Sequence, residues 1–180
     1  MARVLVVAAT AREAAHVPES LPLVITGLGK TAAATATARA LAEADRTDLT
    51  VLNVGTAGAL RAGITGLHEV GTVVNHDMNA DAVRALGYDP MERIVLGTHE
   101  TVLASGDVFV TDPAVRDALA HRAHLVDMEG YAVAYACRAF EVPVRLVKHV
   151  SDNADGTAMD WPEQVEASAR ALGRWLRDNL

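Results

Sequence analysis

Three carboxylates sit just beyond apolar, strand-like runs of this 180-residue chain: Glu13 after the opening run, Glu129 after Leu125-Val126-Asp127-Met128, and Asp152 after Arg145-Leu146-Val147-Lys148-His149-Val150. Ligands of open parallel sheets bind beyond the carboxyl ends of the strands, so a parallel arrangement gathers all three on one edge. Any one of them alone reads first as a helix cap or as a charge favoured at a helix N-terminus. Together, in a chain with few other polar groups near its apolar runs, they point to a shared site. Glycosidic cleavage passes through an oxocarbenium-like transition state and uses one acid to protonate the leaving group and one base to activate water. A purine departs best when a ring nitrogen is protonated, and a third carboxylate can grip the ribose hydroxyls. Three acidic groups therefore suit nucleoside cleavage, although chemistry alone does not establish it.

Two glycine clusters accompany the carboxylates. Gly27-Leu28-Gly29-Lys30-Thr31-Ala32 follows a strand and opens a helix. A Walker phosphate loop needs glycine at position 24, which is Val24, and a dinucleotide fingerprint needs an acidic residue at the end of the next strand, which is Asn53. The plainer reading is a tight strand-to-helix turn whose free amides are available to a hydroxyl or an anion. Gly55-Thr56-Ala57-Gly58 reads either as a turn or as a place where a flat ligand or another backbone comes close. Val108, Phe109 and Val110 read as a core strand or as one wall of a base pocket. His121 and His124 lack the HExxH pattern or a second cysteine, so no metal site is expected. His149 lies beside Ser151-Asp152 or alternates to the far face of its strand.

The elements that must position these residues follow a βαβα rhythm, which predicts an α/β fold with a mainly parallel sheet covered by helices. Strands are expected near 3–9, 22–26, 50–54, 69–75, 93–96, 100–104, 123–127 and 144–150. Helices are expected at 31–46 with Thr31 as cap, 112–121 after Asp112-Pro113, 129–140, and 161–178 with Pro162 in its first turn. The segment 55–70, holding four glycines, reads as the loosest stretch, too short and apolar for an interdomain linker. One domain over residues 1–180 is expected.

Composition narrows the function. With 51% hydrophobic and 22% charged residues the chain is rich enough in apolar surface to fold rather than remain disordered. A net charge of −7 disfavours nucleic acid, whose binding is driven by clustered Lys and Arg. No run reaches the roughly 20 apolar residues of a membrane span, and the opening Met1-Ala2-Arg3 leads into a run too short for a secretory signal. The cytosol is the expected location. The lone Cys137, among Ala134, Tyr135 and Ala136, excludes an internal disulfide or multi-thiolate zinc site and reads as inert packing.

At Val126-Asp127-Met128-Glu129 and Ser151-Asp152-Asn153-Ala154-Asp155 the chain resembles the purine nucleoside phosphorylase and nucleosidase superfamily, most of all its 5′-methylthioadenosine/S-adenosylhomocysteine nucleosidase branch. These blocks are similar to the family's VEME and SDVAD. Glu13, Ile25-Thr26-Gly27-Leu28-Gly29-Lys30, Asn53-Val54-Gly55-Thr56-Ala57-Gly58, His76-Asp77 and Ser105-Gly106-Asp107-Val108-Phe109-Val110 match further blocks in order. The resemblance implies a three-layer nucleoside phosphorylase-like fold with a mixed, mainly parallel, partly barrel-like sheet. It implies that Asp152 is the general acid toward purine N7, with Ser151 in support, and that Glu13 positions or activates the attacking water. By the same resemblance Met128 and Glu129 hold the ribose, Phe109 stacks on the base, Val110 bonds it through the backbone, and Ala57 and Gly58 lie close to the ribosyl and base region. No cofactor is implied, the partner is a small purine nucleoside, and the assembly is a homodimer.

Several positions depart from the family pattern. The chain is short between its first strand and Leu23, which implies a trimmed sheet. Lys148 stands where an Arg is common, Leu86 falls near the place where a partner subunit supplies an aromatic contact, and Gly130-Tyr131 replaces small residues. Ala9-Thr10-Ala11-Arg12-Glu13 resembles the nucleosidases and lacks the phosphorylases' arginine loop, which favours hydrolysis over phosphorolysis. Arg12 keeps phosphorolysis open, as does a third possibility, a non-catalytic nucleoside-binding module.

Overall fold

A computed structural model describes residues 3–180, apart from the side chains of Thr157, Asp160 and Pro162; Met1 and Ala2, in the opening read against a secretory signal, lie outside the described residues. The strands are β1 (Arg3–Ala8), β2 (Leu23–Ile25), β3 (Leu49–Ala59), β4 (Leu67–Asn75), β5 (Arg93–Val95), β6 (Thr101–Ser105), β7 (Leu125–Asp127) and β8 (Val144–Asp152). The helices are α1 (Lys30–Glu43), α2 (Ala80–Ala85), α3 (Pro113–Ala120), α4 (Gly130–Ala139) and α5 (Trp161–Asn179), with a 3-10 segment at Gly156–Asp160.

Strand alternation dictates the layers. On β1, Leu5 and Val7 join Val51 under α1 and α4, packing with Ala33, Leu41, Val133 and Cys137. Val6 and Ala8 point the other way and, with Leu52, Val54 and Val147, meet Leu172 and Leu176 of α5. Burial of Cys137 pushes its thiol up to about 12, so it is packing rather than a nucleophile.

Five strands close into a ring through the pairings β3–β8, β8–β4, β4–β6, β6–β7 and β7–β3, and β1, β2 and β5 extend from it. Pairing is mixed: β3 runs parallel to β1 and β8 and antiparallel to β7, while β4 is antiparallel to β8. The expected α/β fold with a mixed, partly barrel-like sheet is the observed one. The shortening lies outside the ring, where turns lead to a β2 of three residues.

Some boundaries differ from expectation. The stretch from Gly55 to Ala59 is the second half of an eleven-residue β3, not a loose connection, because it pairs with β8 on one side and β7 on the other. Thr31 lies inside α1, and the cap is Gly29, whose φ of 88° suits glycine. β8 runs on through Ser151 and Asp152. The six-residue α2, capped by Asn79, was not expected from a run with so little apolar periodicity. Among the described residues no helix is long and apolar enough to cross a membrane.

Candidate active site

The long β3 brings the carboxylates together. Its first half aligns with β1, and a turn after β1 carries Glu13 back to β3. Its second half aligns with β8, with a register shift that sets Gly58 opposite Asp152. It also pairs antiparallel with β7, whose end leads through Met128 to Glu129. Convergence therefore comes from a ring with strands of both directions rather than from one open parallel edge.

The glycines of β3 supply space, not unusual backbone angles. A Cβ at Gly55 would lie 3.1 Å from Glu13 Oε1, and one at Gly58 would lie 2.9 Å from Asp152 Oδ1 and 3.0 Å from Ala154 Cβ. Bare backbone is what lets both side chains lie against the strand.

The result is a cavity of about 310 Å³, within the range of small-molecule sites. Glu13, Ala57, Gly58, Phe109, Val110, Met128, Glu129, Ser151 and Asp152, the residues singled out in the sequence, all line it. Leu28, Thr56, Asp127 and Trp161 also line it and were given no role from sequence. Thr56 sits within a motif already noted; nothing local marks Trp161, which reaches the cavity only through the fold.

Each carboxylate has its own environment. Buried Glu13 accepts four hydrogen bonds, from Thr10 N and Oγ1 at one oxygen and from Thr56 N and Oγ1, both at 2.8 Å, at the other. Four donors fix its direction. Asp152 accepts from Ser151 Oγ at 2.7 Å and Ala154 N at 2.8 Å, and lies half-buried on the cavity wall. Neither Asp152 nor Glu129 is an ordinary cap: Asp152 belongs to a strand, and Glu129 makes no side-chain bond to α4, the helix it precedes.

Glu129 instead accepts a 2.8 Å bond from Gly29 N. The amides opening α1, expected to be free for a ligand, are thus taken by the protein's own acids, since Lys30 N donates to Asp107 Oδ1 at 2.7 Å. Burial and the neighbouring Asp127 push Glu129 up to about 7, against the pull of the Gly29 amide and of Lys148. Lys148 lies beneath this side of the site, fully buried, with Nζ 2.8 Å from Asp127 Oδ2. Burial works to lower its pKa, but Asp127, with Glu129 and Glu13 beyond, holds it above the ordinary lysine range. Asp127 further accepts from Ser105 Oγ and from Gly130 N, which anchors the start of α4 behind Glu129.

The apolar wall is braced from outside. Lys30 Nζ pairs with Asp77 and donates to Asn75 Oδ1, and Asp77 accepts from Asp107 N at 2.8 Å. This network ties the Gly27–Lys30 turn to the loop carrying Val108, Phe109 and Val110. Burial alone would raise Asp77, yet the Lys30 and Asp107 bonds hold it below its usual range. His149 bonds Ser168 of α5, on the side away from the cavity. Among the described residues no group of three or more His, Cys, Asp or Glu is disposed to hold a metal ion.

Comparison with known proteins points the same way. A family model described as the phosphorylase superfamily matches residues 75–178. An aminodeoxyfutalosine nucleosidase of Helicobacter pylori is 32% identical over 152 residues, covering 71% of this chain and 66% of that relative. A 5′-methylthioadenosine/S-adenosylhomocysteine nucleosidase of Arabidopsis thaliana is 31% identical over 137 residues, 69% of this chain and 54% of the relative. The chain thus spans less than two thirds of the length of these relatives. Among solved structures, a Helicobacter pylori 5′-methylthioadenosine/S-adenosyl homocysteine nucleosidase superposes with a TM-score of 0.83 at 25% identity, covering 98% of this chain and 96% of that one. A Streptococcus pneumoniae MTA/SAH nucleosidase in complex with 8-aminoadenine, at TM-score 0.79 and 24% identity over 97% of each chain, shares the fold.

Proposed function

The chain belongs to the phosphorylase superfamily, and on that premise we propose that it is a purine nucleosidase, hydrolysing the N-glycosidic bond of a nucleoside such as 5′-methylthioadenosine or S-adenosylhomocysteine. The observation that carries the reading is the charge of the cavity. Its lining includes the carboxylates of Glu13, Asp127, Glu129 and Asp152, and among its described residues no Lys or Arg. Phosphate needs cationic forks and free amides; here the amides opening α1 are occupied, Lys148 is paired with Asp127, and Arg12 is exposed and outside the lining. A dianion would find no unpaired cation in this lining, whereas water needs none.

In this reading the purine lies between Phe109 and the end of β8. Asp152 gives a proton to the departing base at N7, with Ser151 holding the carboxyl, and Val110 bonds the base through its backbone. Ala57 and Gly58 leave the room that the ribosyl group needs. Glu129 grips the ribose hydroxyls beside Met128. Glu13 takes a proton from the water whose oxygen attacks C1′ as the bond from C1′ to the base breaks and its electron pair leaves with the purine. The products are the free base and a ribose derivative, and no cofactor enters. Fixed acids around developing positive charge on the sugar stabilise the transition state more than the ground state.

Leu28, Val108 and Phe109, at 65%, 50% and 47% exposure, leave an apolar rim at the cavity. A second subunit covering it fits the expected homodimer, which light scattering after size exclusion would test, a monomer at micromolar concentration counting against it. Residues 1–180 then act as one catalytic domain, in the cytosol. The decisive experiment is a chromatographic screen of purine nucleosides, including methylthioadenosine and futalosine, with and without phosphate. Release of free base without phosphate is expected; strict phosphate dependence would make the protein a phosphorylase, and no turnover on any nucleoside would leave a binding module.

A further inference from the structure

The geometry points to Trp161 as a positioning residue for the water-activating carboxylate, acting through Thr56. This rests on the reading of Glu13 given above and adds to it a residue that neither the motifs nor the resemblance singled out. Trp161 Nε1 donates to Thr56 Oγ1 at 2.9 Å, and Thr56 Oγ1 donates to Glu13 Oε1 at 2.8 Å. A threonine hydroxyl has one proton and can turn it in several directions. An indole N–H only donates, so its approach occupies a lone pair of Thr56 and leaves the hydroxyl proton for Glu13. The backbone N–H of Thr56 donates to the same carboxylate oxygen, also at 2.8 Å, so two donors from one residue hold that oxygen.

The source of the indole gives this relay a second consequence. Trp161 opens α5, directly after the 3-10 segment Gly156–Asp160 that follows Asp152 on the chain. One segment therefore carries the proposed acid at its start and, at its end, the residue that orients the proposed base. Both face the same cavity. If this segment is displaced, the acid moves and the hydroxyl that bonds the base loses its orienting partner, which links the two proton transfers to one local conformation.

The test is a double-mutant cycle on the full-length protein with the best nucleoside from the screen. Trp161→Phe keeps most of the ring and removes the N–H; Thr56→Val keeps the shape and removes the hydroxyl; Thr56→Ser keeps the hydroxyl. The expected result is a fall in kcat of about tenfold for Trp161→Phe, the loss of one hydrogen bond to the Thr56 hydroxyl and of the orientation it imposes, with KM within about twofold. Thr56→Val loses a similar factor, Thr56→Ser recovers most of what Thr56→Val loses, and the double variant loses no more than the single ones. Losses that multiply in the double variant, or a Trp161→Phe effect confined to KM, would reduce Trp161 to a cavity wall and overturn the proposal. So would a wild-type kcat in Trp161→Phe. Should Trp161→Phe fail to fold, Thr56→Val with unchanged kcat overturns the relay by itself, and a slow Thr56→Val whose loss is mostly recovered in Thr56→Ser supports it. Glu13→Gln separates the layers: full activity there removes the water-activating role, whereas loss there beside a normal Trp161→Phe removes only the relay.

Discussion

Two sides of the cavity handle buried negative charge in opposite ways. On the side built from β1, β3 and β8, Glu13 and Asp152 are met by neutral donors: threonine and serine hydroxyls and backbone amides. On the side built from β6, β7 and α4, Asp127 is neutralised by a lysine sealed beneath the site, and Glu129, with a single amide, is pushed up to about 7. Burial is similar for Glu13 and Glu129, at 5% and 7% exposure. What differs is the surroundings: four donors reach Glu13, whereas Glu129 has one amide and Asp127 beside it, and burial with that neighbouring acid pushes Glu129 up.

Substitutions can break this contrast or sharpen it. The largest effect is expected from Asp152→Asn, which keeps an oxygen for the Ala154 amide and a polar partner for Ser151 but has no proton to give. Turnover should fall by about 10³-fold, with KM little changed, in steady-state assays of base release; unimpaired turnover would take the acid role away from Asp152. Lys148→Met should come next, leaving Asp127 buried without its cation at a cost of about 3–5 kcal/mol. Urea unfolding measures this, and a loss under about 1 kcal/mol would mean that the two sides do not differ as described.

Glu129→Gln tests the other half of the contrast through pH. The folded state holds Glu129's proton up to about pH 7, whereas an ordinary carboxyl releases it near 4.5. Folding therefore takes up a proton between these values, and wild-type stability from this group is full below about 4.5 and is lost as pH rises through 7. Glutamine cannot ionise, so the variant should gain about 3 kcal/mol on the wild type across that window, read from unfolding curves at pH 4.5, 6 and 8. Parallel pH curves for the two proteins would contradict the raised value. The same variant should discriminate less between ribose and 2′-deoxyribose substrates. The smallest effect is expected at the rim: Phe109→Ala, removing a half-exposed ring, should raise KM about three- to tenfold with kcat nearly unchanged. A fall in kcat instead would place Phe109 among the groups that act in the transition state.

Much of the site was legible before the fold was known, for particular reasons. Glu13, Glu129 and Asp152 stand near the ends of apolar runs, and strand ends are where sheets of this class carry ligands. The helices at 112–121 and 161–178 announced themselves through Asp112-Pro113 and Pro162. Gly55 and Gly58 were harder, because glycine disfavours strands locally; pairing with β8 and β7 carries β3 through this stretch, and the carboxylates lie where a Cβ would stand. Thr31 has the right type for a cap, but the chain turns into the helix at Gly29, whose φ of 88° suits glycine and whose amide reaches Glu129, a hundred residues away in the chain.

From the order of residues alone follow the α/β class, the alternation that buries both faces of β1 and β3, and the acids standing at strand ends, since these depend on side-chain type and short periodicities. The closure of the ring, the pairing of Lys148 with Asp127, and the reach of Trp161 across 105 positions to Thr56 depend on contacts between distant segments. Short-range patterns carry no record of such contacts, because hydrogen-bond partners and local dielectric exist only once the chain has closed on itself.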